Sequence, residues 1–138
     1  MTKSDTLDEL MRVNGGFLKT SSAMEAGVSR TYLGEYARRR NLMRVAHGLY
    51  LSEEAWPDAM YVLQERYPLA VFSHESALYL HHIAEREPSP IVITLKAGTS
   101  TSNLVKQSVK VYKVKHELQE VGLIRLLTPA GHWVRTYN

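Results

Sequence analysis

Cysteine is missing from this chain altogether, which excludes a disulfide framework and any thiolate metal site and leaves no argument for an oxidising compartment. Long apolar runs are missing too. No stretch approaches the roughly 18 consecutive apolar residues of a membrane-spanning helix, and the opening MTKSDTLDEL is polar where a secretory leader carries an apolar core. The expectation is a soluble cytoplasmic protein with no membrane partner. There is no internal repeat, low-complexity segment, Gly-rich phosphate loop, G-x-S-x-G elbow or spaced carboxylate pair. A zinc deaminase would need Cys ligands. What is present is an ordinary globular composition: 44% hydrophobic residues in 138, enough for one domain or two small ones with a real core.

The net charge of +3 is modest, but its distribution is uneven. Residues 1–50 hold 8 Lys/Arg against 5 Asp/Glu, residues 51–90 hold 2 against 7, and residues 91–138 hold 7 against 2. Two basic segments therefore flank an acidic middle, and basic blocks suit a polyanionic partner. The second block, Lys106, Lys110, Lys113 and Lys115, spreads over both faces of a strand, so a solvated edge strand explains it as well as a binding surface does.

The first block sits on a recognisable scaffold. Leu7, Leu10 and Met11 recur at i, i+3, i+4 and predict a helix over residues 6–13, ended by Asn14-Gly15-Gly16. FLKT reads as a short extended piece. Ser21-Ser22 can cap a second, very short helix closed by Gly27 as a C′ glycine, and Ser29 can cap a third running to about residue 40. That is helix-turn-helix spacing. On the third helix Leu33, Tyr36 and Ala37 share one face with Tyr32 at its flank, while Thr31, Gly34, Glu35 and Arg38 point away. Gly34 costs about 1 kcal/mol against Ala in a helix interior, which makes sense if its face approaches another surface closely. LMRVAHGLYL predicts a hairpin turning at Ala46-His47-Gly48. Three helices and a hairpin make a winged helix, whose third helix enters the major groove while the hairpin reaches the backbone beside it. Arg30 and Arg38 would then reach base edges or phosphates, and Arg39, Arg40 and Arg44 would meet phosphates, where the planar guanidinium fork is well suited.

Beyond Trp56-Pro57, DAMYVLQERYP predicts a helix stopped before Pro68, and SHESALYLHHI a helix capped by Ser73. IVITL and VKVYKVK predict strands, and GLIRLL and HWVRTY a hairpin about a turn at Thr128-Pro129-Ala130-Gly131. His74, Glu75 and His81 are the one cluster that suggests metal chemistry. A zincin needs His at position 78, and that residue is Leu78. No catalytic residue, metal ligand or cofactor is expected.

The blocks NGGFLKTSSAMEAGVSRTYLGEYARRRNLMRVAHGLYL, WPDAMYVLQERYPLAVFSHESALYLHHIAEREPSPIVITLKAG and GLIRLLTPAGHWVRTYN together resemble the AbiEi-type antitoxins of bacterial type IV toxin–antitoxin systems, over nearly the whole chain. The most specific matches are GVSRTYL, RVAHGLY and RYPLAVFSHESALYLH. The resemblance implies an autoregulator that binds inverted repeats in double-stranded DNA upstream of its own operon, an arrangement favouring two copies on DNA. It also implies that a C-terminal domain opposes a nucleotidyltransferase-like toxin without stable direct binding. Two departures stand out. The wing tip usually carries Arg where this chain has His47, and the family continues beyond VRTYN into further helical sequence. The expected architecture is thus α+β: a winged helix-turn-helix DNA-binding domain over residues 1–51, then a small α/β antitoxin domain over residues 52–138 built on a largely antiparallel sheet. The expected DNA-contacting set is Ser29, Arg30, Thr31, Gly34, Glu35, Arg38, Arg39, Arg40, Arg44 and His47. A protein-interaction module with incidental DNA affinity is the competing reading, and an enzyme using His74, Glu75 and His81 the third.

Overall fold

The computed structural model describes residues 2–101, 104 and 108–138, so Lys106 lies outside the described residues. The chain has mixed α and β character and divides into two compact units, Met1–Asp58 and Ala59–Asn138.

The first unit runs α1 (Lys3–Val13), β1 (Phe17–Lys19), α2 (Thr20–Glu25), α3 (Arg30–Arg39), β2 (Met43–Ala46) and β3 (Leu49–Leu51). Helix α1 begins at Lys3, three residues before the expected start at residue 6. A capping box sets its start: the Thr2 hydroxyl accepts from Asp5 N–H, and the Asp5 carboxylate accepts from Thr2 N–H. This bonding holds the Asp5 carboxyl below its ordinary range. Helix α2 starts at Thr20, with Lys19 at the N-cap and no side-chain cap, so the expected Ser21-Ser22 cap is not used. The chain arrives already shaped, because β1 pairs with β3 and Thr20 N–H donates to the Gly48 carbonyl at 2.9 Å.

Strands β1, β3 and β2 form an antiparallel sheet in that order, with an irregularity between Arg44 and Ala46. Against it packs a core of Leu7, Met11, Leu18, Ala23, Val28, Leu33 and Tyr36. Residues 52–58 stay with this unit rather than the next. Ser52 N–H donates to the Gly16 carbonyl at 2.9 Å, and a Cβ on Gly16 would lie 2.3 Å from that of Ala55, so only glycine fits there.

The second unit holds α4 (Ala59–Arg66), β4 (Val71–Phe72), α5 (Glu75–Leu80), β5 (Val92–Lys96), β6 (Lys110–Val114), a 3-10 turn at His116–Leu118, β7 (Leu123–Leu127) and β8 (Trp133–Tyr137). Its five-stranded sheet runs β6-β5-β4-β8-β7. The expected largely antiparallel sheet is corrected to a mixed one: β5–β6 and β4–β8 are parallel, β4–β5 and β7–β8 antiparallel. The C-terminal hairpin accounts for the parallel β4–β8 pair, since β8 inserts beside β4 instead of extending an edge. Polar bonds hold it there: Thr136 donates to the Phe72 carbonyl at 2.9 Å, and the buried Gln64 side chain accepts from Arg135 N–H at 2.7 Å.

Ser73 is not the cap of α5. His74 occupies that position without a side-chain bond, while the Ser73 hydroxyl accepts from Thr94 at 2.8 Å. No buried side-chain polar atom among the described residues lacks a partner, as expected of a settled interior. No described helix is long and apolar enough to cross a membrane.

Candidate nucleic-acid interface

The geometry of α3 is fixed at both ends by backbone chemistry legible in the residues. Helix α2 ends in a Schellman turn: Gly27 N–H donates to Met24 and Val28 N–H to Ala23, with Gly27 at φ +86°. Val28 of this turn is buried against Ala23, so the link that sets the angle between α2 and α3 is itself part of the core. Ser29 then caps α3, its hydroxyl accepting from Tyr32 N–H at 3.2 Å. At the far end Asn41 (φ +53°) closes a second Schellman turn, in which Asn41 N–H donates to Arg38 and Leu42 N–H to Ala37.

Leu33, Tyr36 and Ala37 are buried, and Ser29, Arg30, Thr31, Glu35, Arg38, Arg39 and Arg40 are exposed. A Cβ built on Gly34 would meet nothing within 4 Å. The packing of the unit therefore does not require glycine there. The side chains of Arg38, Glu35 and Thr31 make no hydrogen bond or ion pair among the described residues, so this outer face is not spent on holding the fold together.

The other arginines are differently placed. The Arg30 Nε–H points at the Met24 sulfur at 3.4 Å, linking α3 back to α2. Arg39 lies over the Tyr32 ring, 5.7 Å from its centroid, and donates to its hydroxyl at 3.4 Å. Arg40 turns away from that face. It donates to Asp8 at 3.1 Å and to Ser4 at 3.4 Å, with its guanidinium 5.3 Å from the Tyr36 ring centroid. Asp8 also accepts from the Tyr36 hydroxyl. Burial, then the Asp8 carboxylate beside it, pushes the Tyr36 phenol up to about 12. One carboxylate on α1 thus anchors two residues of α3. Asp8 is 28 positions from Tyr36, and no spacing rule singles it out.

In the hairpin, Arg44 is exposed on β2 and donates to His47 Nδ1 at 3.0 Å. This bond requires the tautomer with its proton on Nε2. The structure therefore gathers Arg30, Thr31, Gly34, Glu35 and Arg38 on one helix, with Arg39 at its edge, and joins Arg44 to His47 on the hairpin.

In the second unit His74 packs edge-on against Tyr112 (centroids 4.0 Å apart), and His81 Nε2–H donates to the Tyr137 carbonyl at 2.7 Å. Among the described residues no group of three or more His, Asp or Glu is placed to hold a metal ion. Of the second basic block, Lys110 lies over the Tyr112 ring at 5.2 Å, and its hydrogen bond to that hydroxyl raises its proton affinity.

No protein-family model and no curated protein matches the sequence. The fold is similar to that in the crystal structure of the RV2827C protein from Mycobacterium tuberculosis, with a TM-score of 0.55 and 18% identity. The match covers 80% of this chain and 44% of that one, so this chain spans less than half the length of the protein it resembles. At this identity the likeness concerns the mixed α and β fold alone.

Proposed function

We propose that this chain is a cytoplasmic DNA-binding repressor, the AbiEi-type antitoxin of a bacterial type IV toxin–antitoxin operon. In this reading the first unit is a winged helix-turn-helix with α3 in the major groove and the β2–β3 hairpin as the wing. The observation that carries it is Gly34. A mid-helix glycine costs stability, nothing inside the unit needs it, and it lies on the outer face between Arg30 and Arg38. Omitting a side chain there allows the helix backbone to approach a groove floor.

Arg38 and Arg30 then donate to guanine O6 and N7, and Glu35 can accept from a cytosine amino group. Arg39 and Arg44 meet phosphates. Arg40 reaches a phosphate only by leaving Asp8, so its first role is to anchor α3. The second unit opposes a nucleotidyltransferase-like toxin without stable direct binding, and inverted repeats recruit two copies.

The test is fluorescence-anisotropy binding of the full chain to DNA from upstream of its own gene and to scrambled DNA over a salt series. A specific repressor prefers the upstream fragment, and its affinity falls by about 0.9 log unit per log unit of salt for each phosphate neutralised. Equal affinity for both fragments at every salt concentration overturns the repressor reading. Rescue of growth when the chain is co-expressed with the product of the adjacent gene tests the antitoxin half.

A further inference from the structure

The face of the β7–β8 hairpin in the Ala59–Asn138 unit carries a group of side chains that the DNA reading does not use. Strands β7 and β8 are antiparallel, with Arg125 directly opposite Arg135 and Leu127 opposite Trp133. Alternation puts all four on one face, the other face carrying Val134 and Thr136 into the interior. Like charges directly opposite on a sheet are unfavourable, so this pairing calls for an anion between them.

The two guanidiniums differ in a useful way. That of Arg135 is fixed: it donates to the Pro68 carbonyl at 2.9 Å and lies 3.4 Å from Glu120, and its side chain is only 17% exposed. That of Arg125 is exposed and makes no hydrogen bond or ion pair among the described residues. Beside them Trp133 is 56% exposed, an unusual cost for an indole with no binding role. All three line a cavity of about 490 Å³, with Gln64, Glu65 and Glu120 on its wall. That volume is within the ordinary range for small-molecule sites.

We propose that this cavity binds a nucleoside 5′-monophosphate, with its phosphate between Arg125 and Arg135 and its base stacked on Trp133. Arginine forks match phosphate oxygens two at a time, and an exposed indole beside them supplies the stacking surface that bases use. Two glutamates on the wall bring the local charge close to balance, which favours one phosphate over a polyphosphate chain. Glu120, itself largely exposed, is the internal anion that the phosphate displaces from Arg135. The same chemistry is offered by a free nucleotide and by the 5′-phosphorylated end of a nucleic-acid strand.

The chain has two tryptophans, so the experiment uses the full chain with Trp56→Phe, which leaves Trp133 as the only indole. Adenosine 5′-monophosphate, adenosine, inorganic phosphate and a 5′-phosphorylated oligonucleotide are titrated while Trp133 fluorescence is followed. The site predicts saturable quenching by the monophosphate, weakened about tenfold or more by Arg125→Ala, which removes a charged hydrogen-bond donor. It also predicts tighter binding in Glu120→Gln, a gain that general damage to the fold would not produce. In Trp133→Ala, followed by calorimetry, affinity for the monophosphate falls to that for inorganic phosphate. Arg38→Ala leaves all of this unchanged. Tighter binding of the monophosphate than of the oligonucleotide assigns a free nucleotide, and the reverse assigns a strand end. Adenosine binding as well as the monophosphate, Glu120→Gln binding no tighter, or no saturation by any of the probes overturns the proposal.

Discussion

Replacing Gly34 with alanine separates folding from recognition, because the two are expected to move in opposite directions. In α3 the substitution restores the helix propensity that glycine forfeits, about 1 kcal/mol. The methyl group enters open space, since nothing lies within 4 Å of the position it would take. No packing cost offsets the gain. For a unit of this size 1 kcal/mol corresponds to a rise in melting temperature of roughly 4–8 °C, within reach of calorimetry on the full chain. On DNA the same methyl group projects from the face that carries Thr31, Glu35 and Arg38. If that face lies against base edges, the added carbon must push the helix outward, at a cost of about 1–3 kcal/mol by analogy with overpacking a close interface.

Anisotropy titration of Gly34→Ala against the upstream fragment should therefore show affinity lowered by about fivefold or more, in a protein that melts higher than the wild type. A destabilised variant would show that the surroundings of Gly34 are not open. A stabilised variant that binds the upstream fragment as well as the wild type would remove the outer face of α3 from the interface, and with it the observation on which the repressor reading rests.

Arg38→Ala should cost about 1–3 kcal/mol on the upstream fragment and much less on scrambled DNA, as for a side chain reading a base; equal losses on both would reassign it to a phosphate. Tyr36 makes stability depend on alkaline pH. Its phenol, at about 12 when folded against 10 when free, keeps its proton more tightly in the folded state. The contribution is complete below about pH 10 and is lost as pH rises through about 12. Denaturant titrations between pH 9 and 12 should show a steeper fall for the wild type than for Tyr36→Phe, and parallel curves would refute this. Asn41→Gly should stabilise the first unit by roughly 1 kcal/mol, because Asn41 sits at φ +53°, where only glycine avoids the left-handed penalty. A lowered melting temperature would show that the Asn41 side chain matters more than its backbone.

The helix-to-helix turn was legible because its determinants are local. Gly27 supplies the positive φ, Val28 supplies an apolar residue at C″, and Ser29 caps the next helix, all within three positions. The buried face of α3 followed from a period that needs no partner to be known. Other local signals are overridden by the fold. Ser21-Ser22 and Ser73 are good capping residues by type, but α2 is started by the pairing of β1 with β3, and the Ser73 hydroxyl is engaged by Thr94 from β5. In both cases a contact across the fold overrode a local preference. The Thr2-Asp5 capping box went the other way: it was present in the residues, and apolar periodicity alone passed over it.

Arg40 shows why charge patterning reads a helix but not an interface. Arg38, Arg39 and Arg40 are indistinguishable in sequence, yet successive positions on a helix are turned by about 100° from one another. That rotation leaves the Arg38 side chain without a bond among the described residues, lays Arg39 on Tyr32 and carries Arg40 round to Asp8 on α1. The same lesson applies to β7 and β8. Their hairpin was evident from the turn between them, but the opposition of Arg125 to Arg135 depends on register, and a shift of one residue would have put one of them in the core. The β7–β8 register is set at the turn, where Thr128 N–H donates to the His132 carbonyl at 2.8 Å, and the face that β8 turns inward is held by Thr136 and Gln64, which bind β8 to β4 and α4. A variant that weakens the Gln64 bonds, such as Gln64→Ala, should therefore loosen the Arg125–Arg135 pair as well as the core. If its monophosphate binding matched the wild type, something other than this register would have to hold the two guanidiniums together.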